Sequence, residues 1–169
     1  MKQNASRRSI AITIASACAF GALCASAQTV SKPDISGPWL LKSGPYSDGC
    51  IMSGRITFAP PDRTGASRCN FVTEVTCTRS VTRPAEYWRV KQACSATITG
   101  DRVRITSTVD RVEDATRNGV PWDAEARAKY VSDNFDLVLA KSRAEMTGHS
   151  VATYAPLQMR FWREAELSS

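Results

Sequence analysis

Cys50, Cys69, Cys77 and Cys94 constrain this chain more than any other feature, because each lies in a run that alternates with period two. In "CIMSGRITF", Cys50, Met52, Gly54, Ile56 and Phe58 share one parity. In "CNFVTEVTC" the same holds for Cys69, Phe71, Thr73, Val75 and Cys77. In "EYWRVKQACSATI" it holds for Trp88, Val90, Cys94, Ala96 and Ile98. Such alternation puts successive side chains on opposite faces of a half-buried strand. All four thiols therefore ride the apolar face of three consecutive strands.

The connections set a register. "APPDRTGAS" is a turn, punctuated by Pro60, Pro61 and Gly65. Folding the first run onto the second about Arg63/Thr64 brings Cys50 opposite Cys77 and Phe58 opposite Cys69. Folding the second onto the third about Val81/Thr82 brings Cys69 opposite Cys94 and Cys77 opposite Glu86. Two disulfides, Cys50–Cys77 and Cys69–Cys94, are the favoured pairing. A two-residue slip preserves the faces and changes the partners, so Cys50–Cys69 with Cys77–Cys94 stays open. A zinc site is disfavoured: the intervals of 18, 7 and 16 residues contain no close pair of ligands, and His149 is the only histidine. Neither a metal nor a cofactor is expected.

Disulfides call for an oxidising compartment, and the start of the chain reads as a route to one. Met1–Ser9 carries Lys2, Arg7 and Arg8. Ile10 to Cys24 has no charge, and Ala25 and Ala27 stand at minus three and minus one of a cut before Gln28. That is the order of a secretory signal. Its apolar run of about fifteen residues is shorter than the roughly twenty needed to span a bilayer as a helix. Neither Cys18 nor Cys24 has the large aliphatic residue at the position that lipid attachment requires. The expectation is a cleaved leader, 1–27, and a single disulfide-containing domain, 28–169, exported to the periplasm or the medium. No transmembrane segment is expected after cleavage. Three of the 22 Lys and Arg leave with the leader, so 19 face 16 Asp and Glu. These charges are mixed along the sequence, without the dense basic cluster of a nucleic-acid partner.

The remaining segments extend the same pattern. "PWLLKSGPYSDG" is a short strand followed by a turn-rich loop. In "GDRVRITSTVDRV", Val103, Ile105, Ser107 and Val109 point inward. Phe135, Leu137 and Leu139 alternate, the stretch around Gly148 reads as a hairpin arm, and Leu157, Met159 and Phe161 share the last inward face. Asn118-Gly119 is a turn signal. "PWDAEARAKYV" places Pro121 for a helix start and supplies helix-forming alanines, with packing through Trp122, Ala126 and Tyr130. The predicted fold is all-β: one antiparallel meander closed into a small barrel, a sandwich being the alternative, with one short helix near 121–130.

Trp39 in "ISGPWLL", the meander, and a late "MTG" followed by "MRFWR" resemble the small lipocalin-like (calycin-type) barrels exported by bacteria. The resemblance implies that Trp39 packs at the closed end against a late basic residue, Arg160 or Arg163. It also implies ligand carriage, or inhibition of proteases or lysozyme. The loop after Trp39 and the two-disulfide meander depart from that pattern, so the activity is not carried over on the likeness alone.

Catalytic chemistry has little to work with. His149 sits between Gly148 and Ser150 and reads as a solvated turn residue, and Ser53 lacks a nucleophile-elbow context. Asp110, Glu113, Asp114, Asp123 and Glu125 are interleaved with Arg111 and Arg117, as in a solvated connection. Aromatic residues are the better binding candidates. Trp39 and Trp88 fit the core parity and are assigned to packing. Tyr87 lies on the opposite face, beside Arg89 and Lys91. Trp162 points outward between Arg160 and Arg163, open to a sugar, a ring or a partner side chain. Trp122 and Tyr130 line an entrance if the 111–130 excursion covers a barrel mouth, a reading that a filled interior contradicts. The expected function is non-enzymatic binding by an exported protein, of a small ligand or a protein partner. An envelope accessory protein is the alternative, and a small hydrolase the least favoured.

Overall fold

The computed structural model describes residues 33–46, 49–81, 84–151 and 156–164. The expected leader, 1–27, and its cysteines lie outside the described residues. Nine strands and one helix follow in order: β1 (Gly37–Ser43), β2 (Cys50–Phe58), β3 (Ala66–Cys77), β4 (Glu86–Thr99), β5 (Arg102–Arg117), β6 (Val120–Pro121), α1 (Ala124–Ala128), β7 (Phe135–Leu139), β8 (Glu145–Ser150) and β9 (Gln158–Arg163). Eight of the strands form a closed antiparallel barrel in the order β4-β3-β2-β1-β9-β8-β7-β5, with β4 pairing β5 to complete the circle. Closure removes the free sheet edges that a meander of this length would otherwise expose. The two-residue β6 hangs on the outer end of β5.

The registers are those set by the turns. Cys50 lies opposite Cys77 and Phe58 opposite Cys69, while Cys69 lies opposite Cys94 and Cys77 opposite Glu86. Both cross-strand pairs are disulfides, Cys50–Cys77 and Cys69–Cys94. They join β2 to β3 and β3 to β4, so three consecutive strands are covalently fastened. Inward parity elsewhere produces the core: Trp39, Ile56, Phe58, Phe71, Ile105, Phe135, Met146 and Phe161 are all buried. Phe135 makes edge contacts with Phe71 and Phe161 at ring distances of 6.0 and 5.2 Å. These side chains fill the barrel.

One end of the barrel is sealed by Trp39. Its Nε1 donates to Ile35 O at 2.9 Å, and a guanidinium lies 4.7 Å above its ring. That guanidinium belongs to Arg163, not to Arg160. Arg163 also donates to the carbonyls of Ser36 and Asp34 at 2.7 and 2.9 Å, tying the last strand to the segment that precedes the first. Arg160 is one parity step away. It points outward and pairs with Glu145 at 2.7 Å.

The helical region also departs from expectation. Asn118 and Gly119 both have positive φ (52° and 79°), as the hairpin turn demands. The turn returns the chain alongside β5, so Pro121 is a strand residue instead of a helix start. α1 begins three residues later, capped by Asp123, whose carboxylate accepts from Ala126 N at 2.7 Å. Its five residues bury nothing. Packing is supplied by its flanks, Trp122 and Tyr130.

Strong coiling needs positions where two backbones approach closely. Gly54 of β2 is one: a Cβ there would lie 2.2 Å from the carbonyl oxygen of Val72. Gly54→Ala should therefore force β2 and β3 apart and lower stability by about 2 kcal/mol or more. Urea denaturation checks this: the midpoint should fall at unchanged slope, whereas an unchanged midpoint would remove the close approach from the account.

Candidate functional site

The end of the barrel opposite Trp39 is built differently. β4 and β5 run past the rim, and β5 carries two irregularities against β4, between Arg89/Val90 and Lys91/Gln92. At each, β5 holds one extra residue, Glu113 and then Asp110. Bulges of this kind re-aim the following side chains. As a result Val112 stands opposite the inward Val90 where the odd-numbered series from Val103 would have put Arg111, and the second bulge restores the odd parity, with Ala115 buried opposite Trp88.

The chain after β6 crosses this rim. Trp122 N donates to Ala115 O at 2.9 Å. Trp88 then lies between Trp122 and Tyr130, with ring centroids 4.8 and 5.5 Å away. Arg117 covers the outer side of Trp122 at 5.2 Å and pairs with Glu86 at 3.2 Å. Arg127 donates to the carbonyls of Val112 and Glu113 at 3.2 and 3.0 Å, which satisfies backbone freed by the bulge. Trp122 Nε1 is buried with no acceptor among the described residues.

Asp133 ends the crossing and fastens it to three strands. Its Oδ2 accepts from Thr73 Oγ1 of β3 at 3.1 Å, from Tyr130 Oη at 3.0 Å and from Gln92 Nε2 of β4. Its backbone N–H donates to Gln92 Oε1 at 2.9 Å. Ser107 Oγ of β5 lies 2.7 Å from Asp133 O. The next residue continues the seam: Asn134 Oδ1 accepts from Ser107 N at 2.7 Å, and Asn134 O from Val151 N at 2.8 Å. Gln92, Thr73 and Ser107 occupy inward positions, so the polar layer rests directly on the aromatic core.

Burial pushes the Asp133 carboxyl above the ordinary carboxylate range, against the opposing pull of its three donors. Burial also raises the Tyr130 phenol, reinforced by the neighbouring Asp133 charge.

Above this layer lies a cavity of about 460 Å³. Its walls include Met52, Val75, the Cys50–Cys77 disulfide, Trp88 and Tyr130, with Asp133 also in its lining. Met52, Val75 and Trp88 stand on the inward faces of β2, β3 and β4, so the recess lies at this mouth of the barrel, next to the packed core. Trp122 and Tyr130 both line this recess.

The four aromatic binding candidates are not brought together. Trp122 and Tyr130 meet at the recess, where Trp88, assigned to packing, joins them. Tyr87 faces the other way; burial and the charge of Glu74 raise its phenol, and Arg89 hydrogen-bonds it. Trp162 lies on the far outer face, with the Arg160 guanidinium 5.9 Å from its ring, beside an open groove with Lys42, Thr147 and His149. His149 itself is an exposed strand residue opposite Asp136.

The acidic cluster is engaged elsewhere. Glu113 takes Arg89 and Arg111 at 3.0 and 2.8 Å, which holds its carboxyl below the usual range. Glu125 pairs with Lys129 at 2.9 Å and Asp123 caps α1. Among the described residues, no three His, Cys, Asp or Glu side chains are grouped to hold a metal ion.

Asp133, Gln92 and Thr73 are site residues that sequence reasoning did not single out. A signal was present: Thr73, Gln92 and Ser107 are polar residues at inward parity on three adjacent strands. No family model matches this chain, and no curated protein is significantly similar to it.

The raised Asp133 carboxyl has a sign that can be checked. Between its ordinary value and its value in the fold, the unfolded chain has released a proton that the folded chain keeps. Stability therefore declines as pH rises through that window and levels off above it. Asp133→Asn removes this contribution. Urea denaturation of both proteins from pH 4 to 9 should show wild type losing ground to the variant as pH rises, by about 1.4 kcal/mol per unit of the shift. A pH-independent difference would contradict the assignment.

Proposed function

We propose that this is a non-enzymatic binding protein of an oxidising, extracytoplasmic compartment, and that the recess at the barrel rim is its ligand site. The observation that carries the reading is the recess itself: a concave, mostly apolar cavity with a cluster of tilted aromatic rings in its wall and the Asp133 carboxyl beside them. That combination is the ordinary composition of a small-molecule site, and its volume lies in the ordinary range of about 300–1,000 Å³. The packed core beneath it favours a small ligand bound at the rim.

The disulfides support the compartment, since such bonds persist outside the reducing cytosol. None of the described helices is long and apolar enough to cross a membrane. Periplasmic or secreted placement follows from the leader expected over 1–27. The non-enzymatic part of the reading rests on where the reactive groups stand. His149 is on the outer face, far from the recess in the strand order, and Asp110, Glu113, Asp123 and Glu125 are paired or capping.

A neutral apolar fluorophore, N-phenyl-1-naphthylamine, tests the site. Saturable one-to-one binding is expected, and Val75→Trp, which fills the recess from β3, should weaken it at least tenfold with the barrel's circular dichroism unchanged. Absence of saturable binding, or binding untouched by Val75→Trp, would overturn the assignment.

A further inference from the structure

We propose that the recess selects a small organic cation, a primary amine carried on a flat apolar body, whose ammonium pairs with the Asp133 carboxylate. This rests on the reading of the recess as a binding site and adds the chemistry of what it binds.

Asp133 is the only carboxyl lining the recess that is not matched by a cation among the described residues. The three donors to its Oδ2 are a threonine hydroxyl, a glutamine amide and a tyrosine hydroxyl, all neutral. None of the described hydrogen bonds ends on Oδ1. The cations nearby are committed to other groups. Arg117 is held by Glu86, Arg127 by two backbone carbonyls, and Lys129 by Glu125. A buried carboxyl without a counter-charge is costly in its ionised form. A ligand ammonium supplies both the missing charge and a donor for the free oxygen, and such charge-assisted bonds are about twice as strong as neutral ones.

The walls select the rest of the molecule. Trp88 and Tyr130 offer ring faces that attract a cation and stack on a planar body. Met52, Val75 and the Cys50–Cys77 disulfide complete an apolar slot. Glu86 and Lys129 stand in the same lining, each already paired with an opposite charge, which leaves Asp133 as the carboxyl without a counter-charge.

Calorimetric titration of the full disulfide-bonded protein compares three probes of one shape: 2-phenylethylamine, 2-phenylethanol and 3-phenylpropionate. The amine should bind at least tenfold more tightly than the alcohol, and the acid most weakly. This ordering in wild type needs no variant. Asp133→Asn should then cost the amine about tenfold and leave the alcohol within twofold, its circular dichroism serving as the check of folding. Equal affinities for amine and alcohol in wild type would overturn the amine proposal, as would an amine preference that survives in the folded variant. In either case alcohol binding would leave the recess itself standing as a site. If none of the three binds while N-phenyl-1-naphthylamine still does, the amine proposal fails and the recess stands as a site; if the fluorophore does not bind either, both fail.

Discussion

The seam between Asp133 and Gln92 decides what this barrel is at its working end. Gln92 is a fully buried amide in the middle of β4, and such a group costs free energy unless its donor and acceptor are both matched. Asp133 matches both. Its backbone N–H takes Gln92 Oε1, which fixes the amide's orientation and turns Nε2 onto the carboxylate. Because Thr73 and Ser107 join from β3 and β5, a loop residue ends up bonded across three strands. The crossing segment is thereby held down over the rim. The aromatic core stops at this polar layer, and the recess begins above it.

The disulfides give the seam something firm to bind. Thr73 lies between Cys69 and Cys77 on β3, and Gln92 precedes Cys94 on β4. Each of these polar residues therefore sits on a strand stapled to its neighbour. The same Cys50–Cys77 bridge forms part of the recess wall. One structural device thus serves both the scaffold and the recess.

Much of the barrel could be read from the sequence, because alternation and turn residues are local signals. The parity of Cys50, Cys69, Cys77 and Cys94, together with two turn midpoints, favoured the pairing the structure has, while a two-residue slip left Cys50–Cys69 with Cys77–Cys94 open. Local signals fail where the chain makes long-range choices. Bulges at Asp110 and Glu113 change which residues of β5 face inward, and nothing in "TVDRVED" announces them. Arg160 and Arg163 are both plausible partners of Trp39, and only the pairing of β9 with β1 puts Arg163 over the ring. Asp133 sits in "VSDNF", which reads as an ordinary polar connection. Its role appears only when a segment some forty residues away in sequence delivers Gln92 to meet it. Trp122 and Tyr130 were recognisable as candidates by residue type and by their place in the excursion. Their partner Trp88 was not, because core parity holds for it in the strand yet the strand has already passed the rim.

Amide hydrogen exchange at Asp133 tests the seam most directly, since the only hydrogen bond of its backbone N–H is to the side chain of Gln92. A residue in a loop held only by solvent exchanges freely, while one locked into the barrel exchanges through larger openings of the structure. The account predicts protection at Asp133 comparable to that of the inward-facing residues of β3 and β4. Exchange as fast as at the exposed turn residue Lys141 would show that the crossing segment is not fastened to the barrel, and would contradict the account.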